Sequence, residues 1–417
     1  MKMRYLVPAG LLLLAACSQA PAPESGSTLE PATFGTPGFE NASGLAPHAG
    51  GAYVVGSTSG ALHGANAGNA DAFIRKYNRS GALVWGRQFG TPEYDYAEGV
   101  APDGKNGAYV VGSSYGSLAG SRGGSDAVVR RYNENGSALW TRQFGSGTFD
   151  TATDAAVSGG NTLYVVGSTL GNIAGSKGSY DAFIRKYTAS GSVSWTKQFG
   201  TSAEDLANDV AVDGSGNAYV VGYTYGSLGG PNGGGSDMFV RKYTPAGSVA
   251  WTRQLHLSDY DYASAVAVYG SSVYLVGSYY YNNDSSDTDV RVVKYSTSGS
   301  AGWSVGFGPY GSDYVSDVSA DGSGVAFAGG TYTSFGGTNQ GGGDGYVLKV
   351  SGSGGYLWSK QLGTSEHDDV QAVLLRGREL YAAGTTTGVL GSVNSGGSDA
   401  FLRQMRSSNG ATVWTDQ

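Results

Sequence analysis

The sequence has little cysteine, histidine or charge, and each shortage argues against a class of protein. Cys17 is the only cysteine among 417 residues, so no disulfide can form within the chain. The four histidines are dispersed, and without a second cysteine there is no Cys/His zinc spacing. Charged residues make up 14% of the chain and helix-forming residues do not dominate, which argues against a helical bundle and a doubly wound α/β fold.

The charge that is present is mostly negative. The net charge is −7, and it becomes −9 when Lys2 and Arg4, which lie in a segment expected to be removed, are left out. Because phosphate binding needs a basic patch, we expect no nucleic-acid partner. The chain also lacks the Asp-x-Asp-x-Asp-Gly loop of calcium-binding hands, and we expect no cofactor and no bound metal.

Glycine and aromatic residues are abundant instead. The 71 glycines follow no G-X-Y period and prolines number only 11, which excludes collagen. An aromatic content of 12% argues against a disordered chain. Short stretches rich in valine and tyrosine alternate with glycine-rich turns, a pattern typical of β-strands, so we expect an all-β protein.

The first 16 residues have the pattern of a secretion signal. Lys2 and Arg4 precede an apolar stretch, Leu6 to Leu14, that is too short to span a membrane. Leu14-Ala15-Ala16-Cys17 resembles the lipobox of bacterial lipoproteins, and the resemblance implies that Cys17 is the lipidated first residue of the mature chain. In that family an aspartate directly after the cysteine favours retention at the inner membrane, so the resemblance implies that a chain with Ser18 at this position reaches the outer membrane or the cell surface. Residues 17–33, rich in Pro, Ser and Glu, are expected to form a flexible tether.

All seven tryptophans lie on a regular grid, which indicates an internal repeat. They are 52 to 56 residues apart: Trp85, Trp140, Trp195, Trp251, Trp303, Trp358 and Trp414. One acidic grid of similar period is Asp71, Asp126, Asp181, Asp237, Asp289, Asp344 and Asp399. A second is Glu40, Asp95, Asp150, Asp205, Asp261, Asp313 and Asp368.

Each repeat contains four strand-like stretches. In one repeat they are residues 205–213, 218–224, 237–244 and 248–255, each bounded by Gly, Ser, Asn, Asp or Pro. Four antiparallel strands repeated seven times predict a seven-bladed β-propeller of four-stranded blades over residues 34–417. Residues 414–417 match residues 195–198, and residues 34–36 match the Phe-Gly-Thr that follows them. The end of the chain therefore adjoins its beginning in the repeat, as closure of a ring requires. We also expect a monomer.

The repeat also resembles the SBBP family of β-propeller repeats, which occurs in bacterial secreted and surface proteins. The matching segments are DGSGNAYVVG (Asp213 to Gly222), SDAF (Ser398 to Phe401) and SGxxxW (Ser190 to Trp195). The resemblance covers about residues 34 to 417. It implies a propeller, and it implies no particular activity, since the family has no common one.

The repeated acids allow two interpretations. In a propeller the first and third strands of a blade begin on the same rim, so both grids would face one opening. The ring could bind a cation or a cationic ligand, or each carboxylate could accept hydrogen bonds from amides of the neighbouring glycine loop. We favour loop ordering, because a feature that each blade needs is copied seven times, whereas a single binding site is not.

The fifth repeat departs most from the others, so we look for function there. Its long loop, residues 278–289, carries tyrosine and aspartate instead of a glycine run. Tyrosine rings beside carboxylates suit recognition of a sugar or a protein segment. The alternatives are a divalent cation held by Asp284 and Asp287, and a loop that has drifted without function. The candidate ligand-binding residues on this rim are Asp259, Tyr260, Tyr262, Tyr279, Tyr280, Tyr281, Asp284, Asp287, Tyr310 and Tyr314.

Catalysis has little support in the sequence. There is no Gly-x-Ser-x-Gly elbow beside a histidine and no His-Glu-x-x-His, and we name no catalytic residue. We expect a non-catalytic cell-envelope lipoprotein, an interaction module or scaffold with a protein or glycan ligand and a membrane attachment through its lipid. The alternatives are a carbohydrate-binding propeller that uses the Tyr/Asp rim, and a hydrolase that uses rim carboxylates.

Overall fold

The structure, a computed structural model, describes residues 34–159, 161–281, 284, 286–391 and 393–417. The expected signal peptide (1–16), the tether (17–33) and Cys17 lie outside the described residues. Within the described ranges, no helix has the length and apolarity needed to cross a membrane.

The described residues form seven four-stranded antiparallel sheets, one for each repeat. Blade 1 contains β1 (Glu40–His48), β2 (Gly51–Thr58), β3 (Asp71–Asn78) and β4 (Leu83–Phe89). Blade 2 contains β5 (Asp95–Pro102), β6 (Ala108–Ser114), β7 (Asp126–Tyr132) and β8 (Ala138–Phe144). Blade 3 contains β9 (Asp150–Ser158), β10 (Thr162–Thr169), β11 (Asp181–Tyr187) and β12 (Val193–Phe199).

The remaining blades repeat the same order. Blade 4 contains β13 (Asp205–Val212), β14 (Ala218–Thr224), β15 (Asp237–Tyr243) and β16 (Val249–Leu255). Blade 5 contains β17 (Asp261–Tyr269), β18 (Ser272–Tyr280), β19 (Thr288–Ser296) and β20 (Ala301–Phe307). Blade 6 contains β21 (Asp313–Asp321), β22 (Gly324–Thr331), β23 (Asp344–Val350) and β24 (Tyr356–Leu362). Blade 7 contains β25 (Asp368–Arg376), β26 (Glu379–Thr386), β27 (Asp399–Arg406) and β28 (Thr412–Asp416).

This architecture is a seven-bladed β-propeller, so the predicted fold is confirmed. The first strands of successive blades contact one another, and β1 contacts β25, which closes the ring around a central channel. The four stretches predicted in one repeat correspond to β13 to β16 to within one residue at each end. The acid of each grid is the first residue of its strand in nearly every case, since β19 alone begins one residue before Asp289.

The second and third strands are buried because blades pack face to face. Tyr53, Val55 and Ile74 of blade 1 share one apolar cluster with Val100 and Val110 of blade 2. Such strands have no solvent-facing side, which is why their sequences are nearly continuous apolar stretches rather than alternating ones. Burial of this apolar surface between blades is the main term that holds the ring together.

The tryptophan grid marks a contact between neighbouring blades. The Trp85 indole Nε1 donates to Glu134 O of blade 2 at 2.8 Å, and the ring packs on Gly136. A Cβ atom on Gly136 would lie 2.8 Å from the indole, and its φ is +75°, so two constraints select glycine. The glycine four residues before each tryptophan is therefore the turn residue on which the tryptophan of the preceding blade packs.

The first strand of every blade contains a β-bulge at the same level of the channel. In β9 the pairing register shifts between Ala152 and Asp154, which leaves Thr153 unpaired. Its hydroxyl Oγ1 donates to Ala207 O of the next blade at 2.9 Å. Bulges re-aim side chains, and here they direct polar residues along the channel wall. The bulged residues are Ser43, Glu98, Thr153, Asn208, Ser264, Ser316 and Gln371.

Candidate functional site

The two acidic grids meet in pairs at the junctions between blades, on the end of the propeller that we call the Asp rim. At the first junction Asp71 begins β3 and Asp95 begins β5, and both are buried. A Cβ atom on Gly90 would lie 2.1 Å from Asp71 Oδ1 and 3.1 Å from Asp95 Oδ2. Only glycine fits between the two carboxylates.

Each carboxylate orders the loop in front of it. Asp71 Oδ2 accepts a bond from Ala67 N at 2.9 Å and another from Gln88 Nε2 at 2.9 Å. Asp95 Oδ2 accepts bonds from Thr91 N at 2.6 Å and from Thr91 Oγ1 at 2.8 Å. Equivalent bonds recur at other junctions. The interpretation that the repeated acids order their loops is therefore confirmed for these acids.

Part of the predicted binding set forms an exposed surface on the Asp rim of blade 5, which we call the tyrosine patch: Asp259, Tyr260, Tyr280, Tyr281, Asp284 and Tyr310. The rings of Tyr260 and Tyr280 are 5.5 Å apart, and Tyr260 is 39% exposed. Tyr310 is 76% exposed and is the most exposed large apolar side chain described. Asp284 accepts bonds from Ser286 Oγ at 2.7 Å and Ser286 N at 3.0 Å, which lower its pKa.

Four of the predicted residues lie apart from this patch. The Asp287 carboxylate is buried and accepts a bond from Gly311 N at 3.0 Å, which ties the loop to blade 6. The Tyr279 hydroxyl faces the blade junction, where it donates to Asp289 Oδ2 at 3.4 Å. The two others, Tyr262 and Tyr314, follow the first acid of their strands and lie at the mouth of the channel.

These two tyrosines belong to the channel wall. The Tyr262 ring meets Tyr223 edge to face at 4.9 Å. Burial, followed by the charge of Asp369, raises the pKa of Tyr314 well above its ordinary value. The Tyr314 phenol is thus a neutral hydrogen-bond donor to the Asp369 carboxylate of blade 7.

Other exposed aromatics on the Asp rim were not anticipated. Phe39, Tyr94 and Phe149 are 67%, 45% and 45% exposed, and each directly precedes the first acid of its blade. Tyr94 also stacks on Tyr96 at 6.0 Å and meets Tyr115 at 6.3 Å. The signal in the sequence was an aromatic one residue before the acid, the same position that Tyr260 occupies.

The channel wall carries a group of acids that sequence analysis also missed. They are Glu98, Asp154, Asp209, Asp317 and Asp369, and all lie at or near the bulges. Asp209 Oδ2 accepts a bond from Val266 N at 2.6 Å, and Asp317 Oδ2 accepts one from Val373 N at 2.7 Å, so each bridges to the next blade.

Burial raises the pKa of four of these five channel acids. It raises the pKa of Asp317 to about 7, with the charge of Asp209 acting in the same direction. Burial and then the neighbouring Asp209 carboxylate raise the pKa of Asp154. Burial also raises the pKa of Glu98 and of Asp369. None of the seven bulged residues of the described first strands is basic.

Two junctions differ from the repeat in ways that change their chemistry. At the junction of blades 4 and 5, His256 occupies the position of Gly90, and its Nδ1 lies 3.1 Å from Asp237 Oδ1. At the junction of blades 5 and 6, Pro309 occupies the position of Thr91 and has no N–H to donate to Asp313. Among the described residues, Asp237, His256 and Asp261 form a group that could hold a metal ion.

Comparison with known families confirms the resemblance of the repeat. Residues 84–119 and 194–229 match SBBP, described as a beta-propeller repeat. Each match begins on the tryptophan-bearing fourth strand of one blade and ends in the long loop after the second strand of the next. The chain carries SBBP-type propeller repeats at these two positions.

Among curated proteins, the regulatory protein FlaEY of Caulobacter vibrioides is 29% identical over 171 residues. The match covers 36% of this chain and 18% of that protein, so the chain spans less than a fifth of the length of this relative.

Solved structures with a similar fold include a putative 6-phosphogluconolactonase from Bacteroides uniformis, with a TM-score of 0.49 and 10% identity over 90% of this chain and 95% of that chain. The periplasmic gluconolactonase of Pseudomonas aeruginosa has a TM-score of 0.47 and 13% identity over 91% of this chain and 95% of that chain. Likeness at this level carries no functional argument.

Proposed function

We propose that this chain is a non-catalytic envelope lipoprotein whose propeller binds a ligand through the tyrosine patch of blade 5. The observation that carries the proposal is the pair of rings Tyr260 and Tyr280, held 5.5 Å apart beside the exposed Asp259 and Asp284. Tyrosine presents rigid apolar area at low entropic cost and a hydroxyl for hydrogen bonds, as binding surfaces require.

The accessibility of the carboxylates supports binding rather than hydrolysis. Propeller hydrolases of the glycosidase type need two carboxyl groups that reach the substrate. On the Asp rim every repeated acid except the half-buried Asp289 is buried, and most already accept hydrogen bonds from their loops. Asp313, whose pKa burial raises to about 7, would suit a general acid, but its side chain has no exposed surface.

A carbohydrate is the second candidate ligand, and the same patch favours it. Sugar rings stack on exposed tyrosine faces, and carboxylates such as Asp284 accept hydrogen bonds from hydroxyl groups. A protein segment would use the same rings as anchors in a larger interface. The two ligand classes differ in the area they cover, so binding assays can tell them apart.

Binding to the patch is tested with a glycan array and with pull-downs from envelope extracts. We expect Tyr260→Ala with Tyr280→Ala to reduce binding at least about tenfold, because paired aromatics contribute most of the energy at such surfaces. The matched control is Tyr94→Ala with Tyr115→Ala, which removes a similar aromatic pair on the Asp rim of blade 2. Equal loss in both variants, or binding unchanged in the first, would rule out the tyrosine patch as the site.

The anchor is tested separately, because it rests on the signal sequence alone. Metabolic labelling with a fatty acid should mark the wild-type chain and fail to mark Cys17→Ser. Labelling that persists in the Cys17→Ser variant would disprove lipidation at this residue. The chain would then be a secreted propeller, and the patch would keep its proposed role.

A further inference from the structure

The junction between blades 4 and 5 differs from the other six in the residue that lies between its two acids. In those six a glycine lies between two acids, and the glycines are Gly35, Gly90, Gly145, Gly200, Gly308 and Gly363. A Cβ atom on any of them would lie 2.0 to 2.4 Å from an aspartate oxygen. The junction of blades 4 and 5 carries His256 at this position instead. It therefore accommodates a side chain where the other six junctions have no space for a Cβ atom.

The structure shows how the imidazole is accommodated. A Cβ atom on Gly233, in the long loop of blade 4, would lie 2.2 Å from His256 Cγ, so the loop backbone lies directly against the ring. The loop carries three consecutive glycines, Gly233 to Gly235, at this point. The ring is thereby held in place, and its side chain remains 41% exposed.

The imidazole nitrogen faces both acids of the junction. His256 Nδ1 lies 3.1 Å from Asp237 Oδ1 and 3.8 Å from Asp261 Oδ2, and the three atoms lie within 4.8 Å of one another. Both carboxylate side chains are fully buried. Two buried carboxyl groups thus lie beside one imidazole nitrogen, and the imidazole is the member of the group that solvent reaches.

We propose that Asp237, His256 and Asp261 bind a zinc ion. On tetrahedral zinc with bonds of about 2.1 Å, ligand atoms lie about 3.4 Å apart, which the 3.1 and 3.8 Å separations bracket. The positive ion would offset the mutual repulsion of the two buried carboxylates. The exposed side of the ring leaves the fourth position open to water.

Hydrogen bonds hold both carboxylates in position. Asp237 Oδ2 accepts bonds from Gln254 Nε2 at 2.7 Å and from Gly233 N at 3.1 Å. Asp261 accepts bonds from Leu257 N at 2.7 Å and from the Ser258 hydroxyl at 2.9 Å. Outer partners of this kind orient ligands and raise metal affinity. The nitrogen ligand favours zinc over calcium and magnesium, which prefer all-oxygen sites.

Isothermal titration of the purified protein with zinc chloride at neutral pH tests the site, with calcium chloride as the comparison metal. We expect one zinc ion per chain and no matching heat from calcium. His256→Gly installs the residue of the other six junctions, so folding should be kept while zinc affinity falls at least about tenfold.

Two further variants make the result decisive. Asp261→Asn should also weaken zinc binding at least about tenfold, while His367→Ala, a histidine of the Asp rim outside the group, should leave it unchanged. Thermal unfolding without metal checks that each variant is folded. The proposal fails if wild-type protein takes up no zinc, or if His256→Gly binds zinc as the wild type does. These readouts are independent of the tyrosine patch and its ligand.

Discussion

Pro309 deprives a buried carboxylate of a hydrogen bond that the other six blades supply. The first acid of each of those blades accepts a bond from the backbone N–H of the residue four positions before it, as Asp95 does from Thr91 N at 2.6 Å. Proline has no N–H, so Asp313 lacks this donor. Burial, partly offset by the Thr331 hydroxyl, accordingly raises the pKa of Asp313 to about 7.

Replacing this proline should stabilise the protein at neutral and alkaline pH. Because the pKa of Asp313 is raised in the folded state, this residue contributes most to the free energy of unfolding below pH ~4. That contribution to stability is lost as pH rises through about 7. Pro309→Thr restores the donor, lowers the pKa of Asp313 and should raise the free energy of unfolding at pH 8 by about 1 kcal/mol after the entropic cost of losing proline. Urea unfolding at pH 5 and pH 8 measures both the gain and the smaller pH dependence.

A second proline in the equivalent turn of blade 2 provides the control. Pro92 lies one position later than Pro309 in the repeat, where blade 3 has Gly147 and blade 4 has Ser202. Pro92→Ser should therefore give no gain at pH 8, since Asp95 already has its donor in Thr91. If Pro309→Thr changes stability equally at both pH values, the missing N–H does not explain the raised pKa.

The hairpin between the third and fourth strands is the element that joins one blade to the next. Its glycine has a left-handed backbone and receives the tryptophan of the preceding blade, as Gly136 receives Trp85. The turn therefore carries two separable costs for any other residue: backbone strain and a collision with the indole. Strain alone applies at Gly104, whose φ is +72° and where a Cβ atom would meet nothing within 4 Å.

Alanine substitution at these two glycines separates the two costs. Gly104→Ala should lower the free energy of unfolding by about 1 kcal/mol through strain alone. Gly136→Ala should lower it by about 2 to 4 kcal/mol, because the methyl group also displaces Trp85. Chemical unfolding followed by circular dichroism gives both values. Equal losses would show that the tryptophan contact adds nothing to the requirement for glycine.

The boundaries of the strands could be predicted from the sequence, whereas the positions of the side chains on the Asp rim could not. An acid marks the start of the first and third strands, and a tryptophan marks the fourth strand. The strands β13 to β16 could therefore be placed to within one residue from the sequence. The bulges depend on bonds to the next blade, such as Thr153 to Ala207, and no local pattern reveals them. The positions of Tyr262 and Tyr314 also depend on neighbouring blades, as the contact of Tyr262 with Tyr223 shows. Both were predicted on the rim with Tyr260, and both line the mouth of the channel instead.

Closure of the ring is a property of the whole molecule that repeats a local contact. Blade 7 meets blade 1 as any blade meets its neighbour: Glu40 N donates to Ser398 O at 2.8 Å, as Asp95 N donates to Ala70 O at 2.8 Å. Phe34 and Val54 also share an apolar cluster with Leu374 and Leu402 of blade 7. A closed ring has no end blade, so each junction should contribute similarly to stability.

Comparing a closing tryptophan with an internal one tests this equivalence. Trp414 packs on Gly81 of blade 1 and donates to Arg79 O at 3.3 Å, while Trp140 packs on Gly191 and donates to Ala189 O at 3.4 Å. In a closed ring, Trp414→Ala and Trp140→Ala should each lower the free energy of unfolding by about 2 to 4 kcal/mol and keep a single unfolding transition. In an open array the terminal contact could be lost by fraying, and Trp414→Ala would cost much less. Urea unfolding monitored by far-ultraviolet circular dichroism distinguishes the two, because it reports all blades rather than the substituted indole.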